Sequence, residues 1–529
     1  MSTVYDKAID YDSSIRYDDI PSGIAKYNVF VDWNNDGDFT DANEDISADV
    51  LGFTTKSGRN FASQLTGRSV AGTLEITVRN ETGKYSPFNT SSTYSGQLLP
   101  NRKIQVGSYY PTVQPLFTGF IENIQPNVGR GRIHTATITA TGALRKLSQT
   151  NIRVPMSTST ATGTAIGAVL DAASWPSSDR SIDTGETTIS RYFFSGKALK
   201  GLREIESTES GFIKETKDGK IAFEDRHHRL ETTESNTSQA TFADDGTGFS
   251  YTNIKQEDAM GLVYNEFLSP VSVFSVASVA ALWTHPLAGT GGSAPALEDG
   301  EVITVLAEYP NETSANNVVG VETWTTPAAT TDYLANTASN GTGTNKTSDL
   351  AISVVKSSKN MEIQITNNAG VKVYLTKLQA RGTAVTISDP ATIKTSDSTS
   401  QSTFGLRTYP RSSDAKWIPT QEEAKDWCLQ SLNAHKNPTA TISISFSANK
   451  SDNIMTEALS RNISDRITVK ASANAKLGIN RDFYVESIRH SVSIGGRHTT
   501  TYTLSDTGGF AGFWYLGKSA LGIDTRLTY

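Results

Sequence analysis

One cysteine in 529 residues excludes a disulfide within the chain and any cysteine-ligated zinc module, so the fold must be held by apolar burial and, where needed, by cations. Cys428 lies in QEEAKDWCLQSL, where it shares a helical face with Ala424, Trp427 and Leu432, a core-packing position. Histidine is scarce too. The seven, at 134, 227, 228, 285, 435, 490 and 498, include no HxH, HxxxH or HExxH pair that would offer two ring nitrogens to one zinc. An excess of positive charge is also missing: 48 Lys and Arg stand against 55 Asp and Glu, for a formal net charge of −7. No basic stripe exists to neutralise phosphates, which argues against specific nucleic-acid binding. The longest largely apolar run, VSVFSVASVAALW at 271–283, falls short of the ~20 residues that cross a bilayer. The beginning, MSTVYDKAIDYDSSIRYDD, has neither the charged nor the apolar region of a secretion signal. No GxSxG elbow or GxxxxGK[ST] loop supports hydrolase or nucleotide chemistry, and GTGG at 289–292 lacks the strand-to-helix setting of a phosphate loop. The expectation is a protein that is not an enzyme.

What the chain does have is Ser, Thr, Asn and Gly in quantity, with Thr, Val, Ile and Tyr in its ordered stretches, the bias of a mainly β protein with a few short helices. Its length predicts three or four domains at roughly 100–200 residues each. After an N-terminal arm at 1–25, alternating segments recur over 26–150: Tyr27 to Trp33, Gly72 to Arg79, Arg102 to Ser108, Leu116 to Ile124 and Ile133 to Ala140. This pattern predicts a β-barrel or sandwich. Residues 151–269 read as an α+β helix-hairpin unit. Its first helix spans 161–173 and its second begins near Ser195 as N-cap and stops at Gly211, followed by a hairpin around Asp218-Gly219. The adjacent His227-His228, read as strand residues facing opposite sides, are a surface or interface pair. SGT-rich strands over 270–390 form an inserted β-sandwich. A helix at 420–435 then precedes strands Thr439 to Phe446, Asp465 to Ala471, Phe483 to Ile494 and Thr499 to Leu504, a second β-barrel over 391–505. The aromatic end at 506–529, with Phe510, Phe513, Trp514, Tyr515 and Leu516, either docks onto a neighbouring subunit or packs on its own domain.

DWNNDGDFTDANE at 32–44 carries the clearest chemistry. Asp32, Asn34, Asp36 and Asp38 alternate around Gly37, and a hard cation such as Ca2+ needs six to eight oxygens delivered by such a bend. The preceding KYNVFV alternates like a strand, and the closing acid falls one place late, at Glu44, with Asn43 in its slot, so an EF-hand is not the reading. Two readings stand: a structural Ca2+ site made by Asp32, Asn34, Asp36, Asp38 and Glu44 on a β-hairpin, or an acidic Asx-rich turn without an ion.

Several segments in order resemble the tail-tip hub proteins of bacteriophages, the minor tail and baseplate hub family. They are VFVDWNNDGDF, GRSVAGTLEITVRNETGKYSPFN (68–89), LPNRKIQV (99–106), LFTGFIENIQP (116–126), GKIAFEDRHHR, GLVYNEF (261–267), DYLANTASNGTGTN, YLTKLQARGTAV, DSTSQSTFGLRTYP, SDRITVK (464–470) and FYVESIRHSVSIGG (483–496). The resemblance implies a structural virion protein at the tail tip: a homotrimer whose two tube-type β-barrels per chain give a pseudo-hexameric ring. It would contact the distal tail or tube protein, the tape-measure protein and receptor-binding proteins. The alternative is a calcium-stabilised adhesin of a virion or cell surface that binds host glycans, for which Trp283 and Trp324 of the insert would supply sugar-stacking faces.

Overall fold

Strand Ser69–Arg79 sends Leu74, Ile76 and Val78 inward and Thr73, Glu75 and Arg79 outward, the period-two pattern of a sheet with one buried face. A computed structural model describes residues 25–59, 68–129, 134–257, 259–288, 294–310, 317–388, 391–439 and 441–507, and the backbone of 513–514 and 526–527. The N-terminal arm and the side chains of the aromatic end lie outside the described residues.

The early unit has β1 (Lys26–Val31), β2 (Val50–Arg59), β3 (Ser69–Arg79), β4 (Lys103–Tyr110), β5 (Gln114–Asn127), β6 (Thr135–Thr141) and helix α1 (Ala143–Gln149). The strands run antiparallel in the order β1-β4-β5-β6-β3-β2. Inward residues meet across the ladders: Val29 faces Val106, Val31 faces Ile104 and Ile76 faces Ile138.

Next come β7 (Asn151–Ala161), α2 (Thr162–Ala172), β8 (Arg180–Ile182), β9 (Thr188–Lys197), α3 (Ala198–Glu209), β10 (Phe212–Glu215), β11 (Ile221–Glu224), α4 (His228–Glu231), α5 (Thr233–Asn236), β12 (Ser238–Ala243) and β13 (Asn253–Glu257). Leu144, Ile166, Val169, Leu202, Ile205 and Phe223 form their core. The β10–β11 hairpin turns at Gly219, whose φ of 87° a side chain would resist. Two local expectations change. Ser195 pairs with Arg153 inside β9, so α3 begins at Ala198 with Lys197 at its cap and no side-chain cap bond. His227 and His228 sit at the start of α4, not on a strand, because Asp225 turns the chain by accepting both of their backbone N–H groups at 2.9 Å.

The 270–390 region leaves the body between β14 (Glu266–Val271) and β24 (Ala391–Ser396), where Val271 pairs with Ala391. Between them lie β15 (Phe274–Val276), β16 (Ala280–Thr284), β17 (Ala296–Leu297), β18 (Val302–Glu308), β19 (Val318–Trp324), β20 (Tyr333–Asn336), β21 (Leu350–Lys356), β22 (Asn360–Asn367) and the long β23 (Val373–Ile387). Five strands pair along β23, while β18-β22-β21 make a separate sheet, and both sheets contribute to one core that includes Trp324, Ile363 and Leu375.

The remainder comprises α6 (Ser398–Phe404), β25 (Thr408–Pro410), α7 (Gln421–His435), β26 (Thr441–Ser447), α8 (Asp452–Ser460), β27 (Arg466–Ala471), β28 (Ile479–Val492) and β29 (His498–Asp506). Thr420 caps α7 by accepting from Glu423 N, and Ala424, Trp427, Cys428 and Leu432 are its buried residues. Strands β26 to β29 with β12 and β13 make the late β unit, so residues 238–257 pair far from their sequence neighbours.

The two β units do not stand apart. β2 runs antiparallel to β28, from Phe53 opposite Val492 to Gly58 opposite Ser487, which joins both into one 12-stranded sheet with a single apolar core from Val29 to Leu504. Among the described residues no ladder closes either half into a barrel. The edge β2 would need for closure is taken by β28, and the outer edge of β1 is occupied by residues 44–47.

Candidate metal centre and buried ionic seam

The loop leaves β1 at Asp32, whose buried carboxylate accepts the backbone N–H of Asn35 at 2.5 Å, Asp36 at 3.2 Å and Gly37 at 3.0 Å. That wrap requires positive φ at Asn35 (67°) and Gly37 (102°), which glycine and asparagine tolerate best. Asp36 is exposed and accepts from Asp38 N at 3.2 Å and from Asn34 Nδ2 at 2.8 Å, and these bonds hold its carboxyl below the ordinary range. The chain returns at Glu44, where Oε2 accepts from Asp41 N at 3.1 Å. Its other carboxylate oxygen, Oε1, is buried and has no hydrogen-bond donor. Burial, with the like charges of Asp41, Asp32 and Asp36, pushes Glu44 above the usual carboxylate range against the pull of the Asp41 N–H.

Asp32, Asp36 and Glu44 each place a carboxylate oxygen within 4.8 Å of the others. Asn34 is bonded to Asp36 at the rim of this trio, and its Nδ2 also reaches Asp41 at 2.5 Å. Asp38 turns away: it accepts from Thr40 N at 2.9 Å and Thr40 Oγ1 at 2.8 Å. Asp41 joins the cluster without having been singled out, although its place three residues before Glu44 is readable in TDANE. Behind the loop Trp33 packs on Tyr94 with ring centroids 4.7 Å apart, and Tyr94 Oη donates to Asn43 O at 2.7 Å.

A second polar cluster lies at the seam. Glu486 is fully buried between Arg59, which reaches Oε1 at 2.6 Å, and Arg229, which reaches Oε1 at 3.0 Å and Oε2 at 3.1 Å. Ser464 Oγ donates to Glu224 at 2.5 Å, and the Lys214 ammonium and His228 imidazole also face Glu224. Burial alone would raise Glu486, yet the two guanidiniums hold it well below the usual carboxylate range. These acids spend their acceptor capacity on fixed cations and hydroxyls, which suits a clamp.

No family model matches the chain, and no curated protein matches it. Solved structures with a similar course include the tail protein from Neisseria meningitidis MC58, with a TM-score of 0.47, 10% identity, and coverage of 92% of this chain and 97% of that one. The 43 kDa tail protein of prophage MuSo2 from Shewanella oneidensis gives a TM-score of 0.45 at 10% identity, covering 91% and 99%. An E. coli type VI secretion component, itself described as similar to T4 tail proteins, gives a TM-score of 0.35 at 7% identity, covering 87% and 73%.

Proposed function

We propose that this chain is a structural virion protein, the homotrimeric hub that closes the tip of a phage tail tube. It meets the distal tail or tube protein above, the tape-measure protein inside and receptor-binding proteins outside. The observation that carries the reading is the side-by-side joining of an early and a late β unit through β2 and β28. One chain thereby offers two tube-type units that wall a shared pore, and three chains offer six, the number that matches a six-fold tube to a three-fold tip. The ordered tail-hub-like segments support the same reading. The glycan-binding alternative draws little from the insert: Trp324 is buried with its indole N–H donated to Ser357 O at 2.7 Å, and Trp283 packs at the edge of the same core.

Native mass spectrometry with negative-stain imaging of the purified protein tests the proposal. A trimer seen as a three-fold ring with a central channel is expected. A protein that stays monomeric at all concentrations and is missing from tail fractions of virions overturns it.

A further inference from the structure

We propose that a hard divalent cation of the Ca2+ class, bound by Asp32, Asp36 and Glu44, locks residues 44–47 onto the outer edge of β1 and so guards one end of the 12-stranded sheet. This inference does not depend on the hub reading.

The strap is visible in the hydrogen bonds. Val31 N donates to Glu44 O at 2.9 Å, Ile46 N donates to Val29 O at 2.9 Å, Val29 N donates to Ser47 Oγ at 2.9 Å, and Phe30 bridges Asp45 in antiparallel fashion. Ile46 is buried as it crosses. Among the described residues these few bonds are the backbone pairing of β1 on that side, and an unpaired edge strand is a template for pairing with other chains.

The proposed ligands straddle the same ladder. Asp32 follows the last residue of β1 and Glu44 is the first residue of the strap, so a shared ion ties strand to strap. Segment 32–45 contains six acids and no Lys or Arg. Convergence of three carboxylates without a cation costs repulsion that the N–H donors on each acid and the exposure of Asp36 relieve in part. The independent sign of a ligand is Glu44 Oε1, an oxygen of a side chain only 2% exposed that meets no donor. Ca2+–oxygen bonds of about 2.4 Å put opposite ligand oxygens about 4.8 Å apart. The oxygens of the trio lie within that span of one another. Backbone carbonyls and water complete the shell of a seven- or eight-coordinate ion more readily than the strict octahedron of Mg2+.

The test uses the full-length protein. Tb3+ is titrated with excitation through tryptophan, since Trp33 adjoins Asp32, and Ca2+ is then added as competitor. Hydrogen exchange of peptides spanning 26–33 and 43–49 is compared in Ca2+ and in chelator. Sensitised emission that Ca2+ displaces is expected, with exchange at Val31 and Ile46 slowed about a hundredfold when Ca2+ stands at about 100 times its Kd. Asp36→Asn, at an exposed position that leaves the Asp32 wrap intact, should abolish both effects, whereas Asp38→Asn should leave both. Identical exchange with Ca2+ and chelator in the wild type overturns the proposal, and so does Ca2+ binding that leaves the strap peptides unprotected. An effect of Ca2+ that persists in Asp36→Asn places the ion elsewhere and also overturns it.

Discussion

Arg59 and Glu486, 427 residues apart in sequence, form a fully buried two-bond ion pair across the β2–β28 seam. Arg229 completes the pair from α4, and the Phe212 ring lies under both guanidiniums, 3.9 Å from Arg59 and 4.7 Å from Arg229. Three separate parts of the chain therefore meet at one carboxylate: the early β unit, the late β unit and the helix-hairpin unit. A buried charge cluster of this kind contributes modestly to net stability but strongly penalises any arrangement in which one member is missing.

Glu486→Gln removes the anion and leaves two buried arginines without their carboxylate. The expected loss is about 3–5 kcal/mol of unfolding free energy. Chemical denaturation of the variant checks this, and a loss below about 1 kcal/mol would show that the arginines find other partners or water. The pH dependence has a defined sign. The folded pKa of Glu486 is depressed, so its contribution is present above the unfolded value of about 4.3 and is lost as pH falls below it. The gap between wild type and Glu486→Gln should therefore stay constant above about pH 5 and shrink in more acidic buffer.

A different acid-sensitive device sits on the same sheet. Tyr27 Oη lies 2.7 Å from His498 Nδ1, and His498 Nε2 lies 3.0 Å from His490 Nδ1. Burial pushes the Tyr27 hydroxyl up, so a protonated phenol and two imidazoles share one hydrogen-bonded chain. Burial lowers His498 to about 4, and burial with the positive charges of His498 and Lys217 holds His490 well below the ordinary imidazole value. A base whose folded pKa is depressed gives stability that is present above the unfolded value of about 6.5 and is lost as pH falls toward the folded value. Burial raises Glu215 and Glu457 to about 7, which acts in the opposite sense, so the whole-protein pH curve is composite. The comparison with His498→Gln isolates the site: the wild-type advantage should fall by about 1.4 kcal/mol per pH unit between about 6.5 and 4. A gap that does not change with pH would mean that His498 titrates normally.

Much of this was legible where a segment's pattern answers to its own burial. The alternation of Leu74, Ile76 and Val78, the spacing of Ala165, Ile166, Val169 and Leu170, and the Asp218-Gly219 turn each report the local environment, and the corresponding elements lie within a few residues of their expected limits. β2 was missed because VLGFTTKSGR carries two glycines that serve close approach to β28, not a face. β12 and β13 were read into the helix-hairpin unit because SQATFA and NIKQE are short and polar, and become strands only through partners more than 180 residues away. Helix α8 had a readable signal in Ser451 as cap with Ile454, Met455, Ala458 and Leu459. In the acidic loop, spacing pointed to Asp32, Asn34, Asp36, Asp38 and Glu44 alike, of which the fold brings Asp32, Asp36 and Glu44 together. Spacing does not tell which of the five converge, since an aspartate in such a turn can equally accept from its own backbone two residues on, as Asp38 does from Thr40.

Gly58 tests the seam directly. Its φ is 107°, and a Cβ there would stand 2.6 Å from Ser487 Cα and against the carbonyl of Glu486. Gly58→Ala combines a left-handed backbone penalty with overpacking against main chain that cannot yield, for an expected loss of about 2–5 kcal/mol. Gly37, also at positive φ, has nothing within 4 Å of its Cβ position. Gly37→Ala should therefore cost only the conformational share, about 1–2 kcal/mol. Thermal melts of the two variants should rank in that order, and equal effects would mean that β2 and β28 are not held as closely as their register indicates.

The inserted region offers the largest change with the smallest expected consequence. Val271 and Ala391 are paired residues of one antiparallel ladder, so the ends left by its removal are already neighbours that a two-residue turn can join. Replacing 272–390 by Asn-Gly removes a core of its own, centred on Leu297, Met361, Ile363 and Leu375. It also removes the ion pairs Arg153–Glu362 and Arg191–Glu322, which are partly exposed and contribute little. Among the described residues the apolar contacts that cross include Phe274, stacked on Trp417 at 5.7 Å, and Val319 against the same core, and their loss leaves Trp417 partly uncovered. About 2–4 kcal/mol is the expected cost, within the range for truncating a buried aromatic. The excised protein should fold and keep the sheet and the oligomeric state of the full chain, as read by far-UV circular dichroism and native mass spectrometry. A chain that aggregates or changes its oligomeric state on excision would assign the insert a part in assembly that its placement between β14 and β24 does not require.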